Sequence, residues 1–194
     1  MSQEGIQKSL QIPELRFPNF SDDEWKTFYL NDLSNKISDG LHSTPNYVDE
    51  SNIFFINGNN LINGNIIIND NTKCINFKEF QKYNNNLDQN TILISINGTI
   101  GNLSFFNNEN IILSKSVAFI KLKENTDKFF IYYLLQTNKI KYYFESELTG
   151  TTIRNLSLKS LKNMNIKIPT LEEQKKIGTF LSEIDTKIAL MEKN

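Results

Sequence analysis

Cysteine and histidine are almost missing from this chain: among its 194 residues, one is Cys74 and one is His42. A single cysteine excludes an intramolecular disulfide, and a reducing cytoplasm is the expected setting. One of each also leaves too few ligands for the usual structural zinc sites and gives little basis for a Cys–His nucleophilic pair. Neither G-x-x-x-x-G-K-[ST] nor G-x-G-x-x-G occurs, so the common phosphate-cradling signatures are lacking. No apolar run approaches the roughly 18–20 residues of a membrane-spanning helix, and the first residues lack a signal-peptide core. No catalytic residue, metal ligand or membrane contact can be nominated.

What is present is the composition of an ordinary globular protein, 39% hydrophobic and 22% charged, long enough for one domain and an appendage. The net charge of −1 hides an uneven spread. Residues 1–60 carry four Lys/Arg against nine acids, whereas residues 139–167 carry six against Glu145 and Glu147. The second segment can form a local positive face, or simply a solvated surface. Asparagine is dense, with fourteen between Asn52 and Asn97. Its amide suits adenine edges, although many of these residues also suit turns.

Along the chain, residues 1–13 are polar and aperiodic. "PELRFPNFSDDEW" follows, with Pro13 and Pro18 opposing regular structure and Phe17, Phe20 and Trp25 available as anchors. "EWKTFYLNDLSNKISDG" reads as a strand leading into a short helix or turn that stops at Gly40. "IFFI", "NIIIND", "TILISI", "LSFF" and "SVAFIKL" are β-branched or aromatic runs divided by asparagine and glycine. The expected class is therefore α+β, with a mostly antiparallel twisted sheet or partial barrel. In "ISINGTIGNLSFF", Gly98 and Gly101 suit a tight strand connection, since no adjoining lysine or helix start makes a phosphate cradle.

Helical periodicity begins after residue 122. Phe130, Tyr133, Leu134, Thr137, Ile140 and Phe144 fall near one face of a helix capped at Asp127 or a neighbouring polar residue and closed by Gly150. "LSLKSLKN" predicts a short helix and "MNIKIP" a strand. Thr170 and Glu173 form a capping-box pattern opening a last helix, in which Ile177, Leu181, Ile184, Ile188 and Met191 step by four and three. That seam calls for a helical partner, because a long lone helix with an exposed apolar stripe is marginal.

The order of "PELRFPNF", "DGLHSTPNY", "FINGNNL", "GTIG" and "TGTTIRNLSLKSLKNMNIKIPTLEEQKKIGTFLSEIDTKI" resembles one half of a type I restriction–modification specificity subunit, over nearly the whole chain. The resemblance implies a non-catalytic target recognition domain at 1–170, reading one half of a split double-stranded DNA site. Residues 171–194 would begin a spacer helix that forms a coiled coil. It implies methyltransferase and restriction subunits as partners, with S-adenosylmethionine and ATP on those subunits and no cofactor here. A full subunit is about twice as long, so either a second recognition half follows or this chain dimerises through its last helix. Ser114-Lys115-Ser116 stands where many members carry Asn-Gln, and no role is carried over there.

Within that picture, phosphate contacts are expected from Thr151, Thr152, Arg154, Lys159 and Lys115, and backbone contact from Asn97 or Thr99. Base-edge contacts are expected from His42, Ser43, Thr44, Asn57, Asn59 and Asn60. The principal rival is an interaction module that dimerises through 171–194 without reading DNA. An enzyme holding a nucleotide on the glycine loop is the other, and it lacks a metal-binding or phosphate-binding partner residue.

Overall fold

The computed structural model describes residues 16–150 and 154–192. Its strands in chain order are β1 (Lys26–Tyr29), β2 (Ser34–Asp39), β3 (Tyr47–Val48), β4 (Phe54–Ile56), β5 (Leu61–Ile62), β6 (Asn65–Ile66) and β7 (Cys74–Ile75). They continue as β8 (Thr91–Asn97), β9 (Thr99–Phe105), β10 (Ile111–Leu113), β11 (Val117–Leu122), β12 (Leu148–Thr149), β13 (Asn155–Leu156) and β14 (Asn165–Ile168). The α-helices are α1 (Phe77–Tyr83), α2 (Lys128–Leu135), α3 (Asn138–Glu147), α4 (Leu158–Lys162) and α5 (Leu171–Met191).

The main sheet runs β12-β13-β8-β11-β2, with β9 also paired to β8, and every pairing in it is antiparallel. β8 lies at its centre and is buried on both faces. Ile92, Ile94 and Ile96 join the larger core, where α2, α3 and α4 supply Ile131, Phe144 and Leu161. Leu93 faces the other way, into a second core with Phe119, Ile56 and Leu113. A strand covered on both sides needs apolar residues at consecutive positions, which is why "ILISI" does not alternate with polar ones.

A smaller sheet, β10-β4-β7-β3, contains one parallel pair, β10 with β4. β5 and β6 form a hairpin against β9, and β1 pairs antiparallel with β14. The fold is thus α+β with an open sheet rather than a closed barrel. No helix among the described residues is long and apolar enough to cross a membrane.

Several elements differ from the sequence reading. The expected strand and short helix are present as β1 and a 3-10 turn at Leu30–Leu33. Residues 34–39, expected to belong to that helix or turn, instead form an edge strand on β11 in which only Ser34 and Ile37 are buried. The helix expected from 127 to 150 is two. Asp127 caps the first by accepting from Phe130 N at 2.8 Å, and Thr137 then turns extended (ψ 149°) and starts the second. "NIIIND" is a strand only at Asn65–Ile66, and α1 and β10 had no signal in the reading above. At the last helix, Thr170 accepts from Glu173 N. The Glu173 carboxylate instead takes a two-pronged bond from Arg16, at 3.0 and 2.6 Å, so the reciprocal half of the box is spent elsewhere.

Candidate nucleic-acid interface

The antiparallel register puts five chain segments at one end of the main sheet. β2 and β8 finish there, while β9, β11 and β13 start there. The loops carrying most of the nominated residues leave from these ends, and hydrogen bonds connect them. The Gly40–Asn46 loop is pinned through Leu41, whose N donates to Leu113 O at 2.7 Å and whose O accepts from Lys115 N at 2.9 Å. The Asn57–Asn60 turn is held by Gly58 N donating to Ser116 Oγ at 3.1 Å and by Asn102 Nδ2 donating to Gly58 O at 3.2 Å. Thr99 Oγ1 donates to Asn59 Oδ1 at 3.2 Å, joining that turn to the β8–β9 hairpin. Gly98 N donates to Arg154 O at 3.1 Å, which brings in the basic segment.

The hairpin has one residue, Gly98, between paired Asn97 and Thr99, and its φ of +74° favours glycine. The register then shifts at Ser95, opposite Gly101 at φ +84°, and Ser95 Oγ accepts from Asn102 N at 2.9 Å. This bulge re-aims the strand so that Asn102 can reach Gly58. "NGTIG" is therefore a turn, and its chemistry is to hold the neighbouring loop.

His42, Ser43 and Thr44 are exposed. The His42 ring is bonded to Asp39 through Nε2–Oδ2 at 2.7 Å. Asn59, Thr99 and Lys115 are exposed and Asn97 is half-buried. Asn57 is also exposed, although its Oδ1 caps the turn by accepting from Asn59 N. Asn60 differs. It is buried, its Oδ1 accepts from Asn57 N at 3.0 Å, and its Nδ2 donates to Ile67 O and Thr72 Oγ1 at 2.8 and 3.2 Å. An amide so engaged has no edge left for a base, and we remove it from the candidate set.

Arg154 is exposed and paired with the Glu145 carboxylate of α3, so its charge is locally offset. Lys159 is exposed on α4, a helix packed on β2 and on the turn that feeds the start of β2. No described hydrogen bond ties it to the loops. Thr151 and Thr152 lie outside the described residues. Ser95, Asn102, Ser114 and Ser116, not nominated from the sequence, hold the loops and the neighbouring strand with their side chains. Single polar residues inside apolar strands were the available signal. Among the described residues, no group of three His, Cys, Asp or Glu could hold a metal.

The seam residues of α5 divide by position. Ile177 packs on the main core, Leu181 and Ile184 are half-buried, and Ile188 and Met191 are exposed. α5 lies on α2, with Gly178 against Phe129 and Phe130, and Tyr133 OH donating to Asp185 Oδ2 at 2.8 Å.

Convergent polar loops at one sheet end, on a body whose long last helix is only partly packed, make a surface suited to binding a polar partner. The family described as "Type I restriction modification DNA specificity domain" matches residues 22–194, and the chain belongs to that family. It is 28% identical over 107 residues to the type I restriction enzyme MjaVIII specificity subunit of Methanocaldococcus jannaschii, a match covering 55% of this chain and 25% of that protein. Two solved structures share the fold: an S subunit from M. genitalium (TM-score 0.68, 20% identity, 94% of this chain and 44% of that one) and the HsdS subunit from Thermoanaerobacter tengcongensis (0.60, 19%, 94% and 41%). The chain thus spans less than half the length of these relatives.

Proposed function

We propose that this chain is the DNA-reading part of a type I restriction–modification specificity subunit, binding one half of a split duplex site and catalysing nothing itself. The convergence of the Gly40–Asn46, Asn57–Asn60, Asn97–Thr99 and Ser114–Ser116 loops with Arg154 at one sheet end supports this reading most directly. His42, Ser43, Thr44, Asn57 and Asn59 offer groups to base edges. Lys115, Arg154, Asn97 and Thr99 are assigned to phosphates, as are Thr151 and Thr152, which lie outside the described residues. The exposed end of α5, with Ile188 and Met191, packs on a second helix, from a further recognition half or a second copy. Methyltransferase and restriction subunits then dock on this assembly and bring S-adenosylmethionine and ATP, so the chain holds no cofactor.

Binding of random and selected duplexes at two salt concentrations tests the reading. A recognition module keeps salt-dependent affinity for any duplex and gains on its target. A chain that retains no duplex at low salt is instead an interaction module. Mass in solution reports the pairing, and Ile188→Glu is expected to shift any dimer toward monomer.

A further inference from the structure

Beside the polar loops lies an apolar feature that the assignment above does not use. After β6 the chain folds back on Asn60: Ile67 N donates to Asn60 O at 2.8 Å, and Asn60 Nδ2 holds Ile67 O and Thr72 Oγ1. The loop closes on itself, with Asn69 N donating to Thr72 Oγ1 at 3.0 Å and Thr72 N to Asn69 O at 2.8 Å. On this tied loop Ile67 and Ile68 each stay 40% exposed. Side chains with stiff χ1 on a hydrogen-bonded loop lose little further entropy on contact. Asp70 and Lys73 cancel, so the loop adds no net charge toward phosphates. Asn60 joins it to the turn carrying Asn57 and Asn59.

We infer that Ile67 and Ile68 are specificity-determining residues of this face, making apolar contact with thymine 5-methyl groups in the major groove. The inference rests on the DNA reading above. In that groove the thymine methyl is the apolar mark of an A·T pair, and the partnered adenine presents the donor and acceptor that an asparagine amide matches. Isoleucines tied beside Asn57 and Asn59 suit both halves of one such pair.

The whole chain is used to select from a random-sequence duplex pool. The enriched duplex is then rebound with each thymine singly replaced by deoxyuridine, which removes only the methyl. One or two replacements are expected to weaken wild-type binding about four-fold each. The I67S/I68S variant is expected to bind thymine and uracil duplexes alike, with unchanged salt dependence. Retained thymine preference in that variant overturns the inference, as does a wild type with no such preference or an enriched site without thymine. If the serine variant melts early, I67V/I68V, whose side chains are one methylene shorter, is read the same way and is expected to show a reduced preference. A wild type that enriches no sequence overturns the DNA reading as well, and that result is seen before any base is replaced.

Discussion

Asn57, Asn59 and Asn60 look alike in sequence and do different work. Asn60 spends its amide on Asn57 N, Ile67 O and Thr72 Oγ1. Asn60→Ala strands those groups, and we expect a loss of about 1–3 kcal/mol in unfolding free energy, read as a lower urea midpoint at constant slope. Asn59→Ala, at the surface, is expected to stay within about 0.5 kcal/mol and to change base preference instead. Arg154 gives a second residue-level contrast. Arg154→Ala is expected to weaken binding to all duplexes alike and to reduce the salt slope by about one. Glu145→Gln removes the carboxylate that competes with phosphate for the guanidinium, so non-specific binding at low salt is expected to tighten.

At the scale of elements, the seating of α5 on α2 decides two outcomes. A Cβ at Gly178 would stand 2.6 Å from Asp127 Oδ1 and 2.9 Å from Phe130 N. Alanine favours a helix over glycine by about 1 kcal/mol. The clash and the disturbed Asp127 cap together cost about 1–3 kcal/mol or more, so Gly178→Ala is expected to lower the melting temperature. Tyr133, on the same interface, is raised well above the ordinary tyrosine range by burial, then by its bond to Asp185 and that carboxylate's charge. Its contribution to stability is complete below about pH 10 and is lost as pH rises toward the raised value, because the unfolded chain ionises first. The melting temperature of the wild type relative to Tyr133→Phe is expected to fall above pH 10.

The periodicity of α5 and its start at Thr170 were legible in the sequence, because both are local signals. That Glu173 turns to Arg16 was not, since the two are 157 residues apart in the chain. The break at Thr137 was obscured because Phe130, Ile140 and Phe144 keep an almost helical spacing across it. Polar "SNKIS" gave no strand signal, for an edge strand with one bonded neighbour needs little apolar surface.

At the scale of the molecule, the nominated loops were visible one by one as turns. Their convergence was not, because it follows from the antiparallel register of β2, β8, β9, β11 and β13. Spacing sets the register of a hairpin such as β8–β9, but which strands pair across the sheet is a long-range outcome that no local pattern displays.

The pairing of β1 with β14 has a consequence of a different kind. Lys26 stands opposite Ile168, and Arg16 reaches Glu173 at the start of α5. The chain therefore enters and leaves the globular body at neighbouring points. Residues between Tyr29 and Asn165 can thus vary without moving the helix that follows, provided that the α2 surface seating α5, with Asp127, Phe130 and Tyr133, is kept. A body whose two ends lie side by side is a cassette on a fixed handle, so differences within it need not alter the outer surface of α5.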